Sequence, residues 1–99
     1  CLEFTIDKAM KTENKTLQEK LNDIGNIISC DTLSDIGNIP DIAGTFVNSI
    51  GIVLGLEKHG IQADHITKLG QLAFEDSCHA THPFAVSQDD FHAVYTRAL

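Results

Sequence analysis

No stretch of the sequence approaches the roughly 20 consecutive apolar residues that a membrane-crossing helix needs, so none is expected. Basic residues are scarce: seven Lys and Arg stand against fourteen Asp and Glu, for a net charge of −7. Nucleic acid and anionic membrane surfaces are therefore excluded as expected partners, because both attract a positive field. The one loose basic grouping, Lys8, Lys11, Lys15 and Lys20, is interrupted by Glu13 and Glu19. Cysteine is limited to Cys1, Cys30 and Cys78, an odd count without regular spacing. That excludes a disulfide framework and favours reduced thiols in an intracellular, cytoplasmic setting.

Initiator methionine is missing, and Cys1-Leu2-Glu3-Phe4 is not a basic region leading into an apolar stretch. No signal peptide is read there. A chain that opens on cysteine reads as a piece of something longer or as a processed product. Asn14-Lys15-Thr16 matches a glycosylation sequon but carries no weight without a secretion signal. Three motifs are also lacking: the G-x-G-x-x-G turn, the P-loop and the G-x-S-x-G elbow.

What is present is helical patterning in a chain of 99 residues, 42% of them apolar. That length allows one domain, and so small a domain is only marginally stable alone. Leu17, Leu21, Ile24 and Ile28 recur at helical spacing and mark one apolar face. Thr16 with Glu19 reads as its capping box. Leu21–Ile27 nearly recurs as Leu33–Ile39, but two copies do not make a solenoid. Residues 29–39 read as a polar connector.

Pro40-Asp41 opens a second helix carrying Ile42, Phe46, Val47, Ile50, Val53, Leu54 and Leu56. It is apolar over more than one stripe and is expected to be the buried centre, with Gly60 as its stop. A third helix is expected from a cap at Asp64 to Asp76, with Ile66, Leu69, Leu72 and Ala73 facing inward. Pro83 keeps residues 77–86 irregular. Ser87 and Asp90 form a second capping box, and Phe91, Val94, Tyr95 and Ala98 follow at helical spacing. Residues 1–10 fit either a helix or a short strand. No segment shows convincing period-2 alternation, so the fold class is all-α, a small bundle of four to five helices.

Cys78-His79-Ala80-Thr81-His82 is the densest cluster of reactive side chains. Thiolate and imidazole suit zinc or iron. However, a loop before Pro83 does not put His79 and His82 on one helical face, and no second ligand pair stands at zinc-site spacing. A nucleophilic Cys78 would need His79 or His82 as a base. The cluster can also be an ordinary polar loop, or one wall of a site completed by residues outside the chain.

The ending resembles the C-terminus of the iron-containing alcohol dehydrogenase family, where a stretch like "KDxCxxTNPRxVTxEDIxxLYxxAL" is common. The likeness holds at Asp76, Cys78, Thr81, Pro83, Val86, Asp90, Tyr95, Ala98 and Leu99, with Ser87 for Thr and Asp89 for Glu. Cys1-Leu2-Glu3-Phe4 is similar to the "P-x-V-L-E-F-N" stretch just after that family's last iron-binding histidine. His82 replaces the usual Asn and Phe84 the usual Arg, which points toward a polyol or sugar-acid substrate.

The resemblance implies a two-domain parent. Its N-terminal α/β domain holds NAD(P), and its helical, dehydroquinate-synthase-like domain holds Fe2+ or Zn2+ through one Asp and three His. All those ligands precede Cys1 by the family pattern, so the chain alone is expected to be inactive and to bind neither group. The parent metal would polarise an alkoxide for hydride transfer. The resemblance further implies that Cys78, His79 and His82 line the substrate cleft, and that the partners are the rest of a homo-oligomeric enzyme and an alcohol. Two other readings stand beside it: a free-standing helical interaction module, and a small Cys/His metalloprotein built on Cys78, His79, His82 and one further histidine.

Overall fold

The computed structural model describes residues 1–31 and 35–99. Residues 32–34 of the connector, the last two of them also in the near-repeat, therefore lie outside the described residues. The fold is all-α: among the described residues there are five helices and no strand. The helices are α1 (Leu2–Lys11), α2 (Lys15–Ser29), α3 (Ile39–Ser49), α4 (Ile66–Glu75) and α5 (Gln88–Ala98). Short 3-10 turns cover Ile36–Asn38, Leu56–His59, Ala63–His65 and Ser77–Thr81. The residues group into two compact units, Cys1–Ile52 and Val53–Leu99. No helix among the described residues is long and apolar enough to cross a membrane.

In the first unit the ambiguous opening is helical. Ile6 and Ala9, three apart on α1, are buried together. The helix ends in a paired closure: the Asn14 amide donates to the Ala9 carbonyl at 3.1 Å and the Glu13 amide to Met10 at 3.2 Å. Glu13 takes the left-handed conformation this closure requires, at φ +52°. The closure fixes Asn14 directly ahead of α2, and its Oδ1 accepts the Leu17 amide at 3.1 Å. The cap is thus Asn14 and not Thr16, because a residue already locked at the junction caps as well as threonine does. The Gln18 side chain then donates to the Ala9 carbonyl at 2.9 Å and ties α2 to α1.

Helix α2 runs through Gly25 to Ser29, and it is Leu21 and Gly25 that face inward. Ile24 and Ile28 of the expected face remain 48% and 39% exposed. Pro40 sits in the first turn of α3, as its fixed φ allows, and Ile39 beside it is fully buried. Contrary to expectation, α3 stops at Ser49 and is not a buried centre. Gly51, at φ +87°, reverses the chain, with the Ile52 amide donating to Val47 and the Gly51 amide to Asn48. This closes the helix nine residues before Gly60 by the same paired closure seen after α1. Gly60 ends only the short Leu56–His59 turn. Phe46 and Ile50 stay 60% and 58% exposed, so the second apolar stripe is not packed into a core.

In the second unit α4 packs along α5. Ile66 and Gly70 are buried, with Leu69 and Ala73 half-buried beside them. Leu72, expected inside, is about half exposed. Gly70 occupies the contact line because the α5 backbone passes close by: a β-carbon there would lie 3.5 Å from the His92 nitrogen and 3.8 Å from the Gln88 carbonyl. Asp64 does not cap α4. The approach is a 3-10 turn over Ala63–His65 in which His65 Nδ1 accepts the Gln62 amide at 3.1 Å. Ser87 and Asp90 do form their capping box, the Asp90 amide donating to Ser87 Oγ at 3.1 Å and the Ser87 amide to Asp90 Oδ2 at 2.9 Å. Phe91, Val94 and Tyr95 are half-buried, whereas Ala98 is exposed. Each fully buried isoleucine, Ile39 or Ile66, contributes about 1.5–3 kcal/mol.

Candidate functional site

Residues 76–84 link α4 to α5 and hold the cluster singled out by the sequence. Asp76 starts the turn: its Oδ1 accepts the Cys78 amide at 2.9 Å. This is the local aspartate closure that also begins the Ile36–Asn38 turn, where Asp35 accepts the Gly37 amide at 2.8 Å. One round of 3-10 helix follows, closed by the His82 amide on the His79 carbonyl at 3.1 Å and by Thr81 Oγ1 on the Cys78 carbonyl at 2.9 Å. His82 leaves the turn extended, at φ −68° and ψ 143°, as a residue before proline must. The segment is therefore an ordered turn ahead of Pro83, and not irregular throughout.

The three sequence-singled side chains occupy different surroundings. Cys78 is exposed. Side-chain hydrogen bonding with Asp76 is the first cause that pushes the thiol above its ordinary value, the carboxylate's negative charge the second and desolvation the third. The same side-chain interaction and then the Cys78 amide hold the Asp76 carboxyl below the usual range, with desolvation opposing them and the nearby His79 adding the least. The nucleophilic form of cysteine is the thiolate. A thiol held protonated by a carboxylate is a donor and a soft wall, and a poor attacking group at neutral pH.

His79 is half-buried. Its ring stacks on Phe74 of α4, with centroids 5.1 Å apart and planes 12° from parallel. Phe91 of α5 meets it edge-on at 5.7 Å and 76°. Ring pairs of this kind contribute about 0.5–1.5 kcal/mol each beyond their burial. Nε2 lies 3.0 Å from the Phe74 carbonyl oxygen. A carbonyl only accepts, so Nε2 carries the hydrogen. Nε2 of His79 is thereby committed to the main chain.

His82 turns toward Phe84, whose amide donates to Nδ1 at 3.1 Å, with the ring centroids 6.0 Å apart. Among the described residues, no three His, Cys, Asp or Glu side chains gather to hold a metal. Cys78, His79 and His82 are neighbours without forming a donor set. His59 and His65 are bonded locally to the Val53 carbonyl at 2.7 Å and the Gln62 amide.

Three contributors to this turn were not singled out by the sequence as site residues: Phe74, Phe91 and, as a partner of the thiol, Asp76. The Asp-x-Cys spacing did carry a signal for Asp76, since an aspartate two residues ahead of an amide is a common local closure. Phe74 and Phe91 gave none, because ring contacts across two helices have no sequence spacing.

A second concavity, of about 390 Å³ and lined by Ile28, Ile42, Thr45 and Phe46 among others, lies between α2 and α3. It contains neither histidine nor cysteine, and nor does another of about 560 Å³ lined by Met10, Gln18, Asn22 and Ile36 among others. The Fe-containing alcohol dehydrogenase family, in its C-terminal part, matches residues 1–99. Comparison with curated proteins and with solved structures finds no match.

Proposed function

This chain belongs to the iron-containing alcohol dehydrogenase family, as its C-terminal part, and we propose that it shapes the alcohol cleft of an enzyme that passes a hydride between an alcohol, polyol or sugar-acid hydroxyl and NAD(P). The observation that carries this reading is a family match over the whole of residues 1–99. The ordered turn at 76–84 supports it, since Cys78 faces outward there on a fixed frame.

Iron is proposed to be held outside these residues, since among the described residues no three His, Cys, Asp or Glu side chains gather to hold a metal; NAD(P) is proposed to bind there as well. Iron is chosen over zinc because iron is the metal in the family's description. This chain's own contribution is positional. Cys78, with His79 and His82 beside it, would form one wall of the cleft. Cys78 offers a soft, protonated surface, and the backbone around it is preset by local bonds. Such presetting matters because a small misplacement at a reacting centre can cost about 100-fold in rate. The enzyme is further proposed to be cytoplasmic and a homo-oligomer.

The test uses the full-length enzyme that carries this chain, supplied with Fe2+ and with NAD+ or NADP+. Oxidation of short primary alcohols, glycerol or an aldonic acid is expected, with none from residues 1–99 alone. Failure with all three substrate classes and both nucleotides would overturn the reading.

A further inference from the structure

We infer that His79 is a positioning residue: its ring, clasped between Phe74 of α4 and Phe91 of α5 and bonded to the Phe74 carbonyl, pins the Ser77–Thr81 turn and so fixes how Cys78 is presented. The role as part of a cleft rests on the function proposed above; the pin itself does not. The bonds of Cys78 and Thr81 are local, to Asp76 and within the turn. The His79 ring is what carries the turn across to α5, through its edge contact with Phe91. Around the turn, exposed Cys78 and exposed Ala80 flank half-buried His79, so one side chain points in while its neighbours point out.

The clasp also couples the two remaining cluster residues. The His79 carbonyl accepts the His82 amide, and the adjacent Cys78 carbonyl accepts the Thr81 hydroxyl. A shift of the His79 ring therefore moves Cys78 and the exit to His82 together. The clasp makes two demands on the side chain. Stacking at 5.1 Å with near-parallel planes needs a flat ring, and the 3.0 Å contact with a carbonyl needs a donor. Histidine meets both. Phenylalanine would keep the ring contacts and lose the bond, and alanine would lose all of them.

In the full-length enzyme, iodoacetamide labelling of Cys78 is measured by peptide mass spectrometry against Cys30 in the same molecules. The proteins compared are the parent, His79→Ala and the conservative His79→Phe. Release of the turn frees the thiol from Asp76, so labelling of Cys78 relative to Cys30 should rise about tenfold in His79→Ala and about threefold in His79→Phe. An unchanged ratio in His79→Ala overturns the pin. Equal acceleration in both variants also overturns it, since the ring contacts would then hold nothing. Repeating the labelling of the parent with ethanol and NAD+ tests the cleft separately. Protection of Cys78 supports it, and lack of protection removes the cleft while a changed His79→Ala ratio leaves the pin standing.

Discussion

Gly70 faces the backbone of His92: a β-carbon at position 70 would lie 3.5 Å from the His92 nitrogen and 3.7 Å from its α-carbon. Those are ordinary contact distances, so one methyl group fits and a larger side chain does not. Gly70→Ala should be neutral or should stabilise by up to about 1 kcal/mol, the helix propensity difference between the two residues. Gly70→Leu should force α4 from α5 and cost about 1–3 kcal/mol. Thermal melts of both variants check this. Equal melting temperatures for the two would mean that α4 and α5 do not cross at this point.

The tie between Asp76 and Cys78 should give an acid and an alkaline signature of opposite sense. Asp76 is held below its ordinary 3.8 in the folded chain. Its contribution to stability is therefore present above that value and is lost as the pH falls through the lowered native value. Cys78 is raised above its ordinary 9.0. Its contribution is present below that value and is lost as the pH rises through the raised native value. Asp76→Asn should remove part of the acid slope in a denaturation series and move Cys78 labelling to lower pH. An unmoved Cys78 labelling profile would show that the carboxylate does not hold the thiol.

Ile27 and Phe46 are 74% and 60% exposed in the first unit. Residues 1–99 produced alone should bind a dye that reports apolar surface, or should self-associate in gel filtration. Changing Ile27 and Phe46 together to lysine should reduce both behaviours and alter stability by no more than about 0.5 kcal/mol per site, the usual scale for exposed positions. A monodisperse, dye-negative parent chain would favour a self-contained module over a part of a larger enzyme.

Much of the fold was legible in the sequence where a local rule decided it. Pro40 opened α3, and the Ser87–Asp90 box opened α5, because both act within one turn of chain. The errors arose where neighbours competed. Asn14 displaced Thr16 as a cap because the closure of α1 had already fixed it in place. Gly51 ended a helix whose apolar pattern ran on to Leu56, since periodicity does not register a left-handed residue. Leu72 lost the inner position to Gly70 because helix separation, and not hydrophobicity, selected the contact line. At the site, the sequence placed Cys78, His79 and His82 on one segment. The tie of Cys78 to Asp76 had a spacing signal, whereas the commitments of His79 to Phe74 and Phe91 and of His82 to Phe84 are tertiary or conformational facts without one.

Four of the five histidines in the second unit bond over very short stretches of chain. His59 reaches back to Val53, His65 to Gln62 and His79 to Phe74, while His82 reaches forward to Phe84. Such brackets form as soon as their own few residues are present. The loops around them therefore take their shape during folding and need no companion surface to impose it. When this part meets the rest of an enzyme, little conformational entropy is left for those loops to lose. Assembly then becomes closer to the joining of finished parts than to mutual moulding.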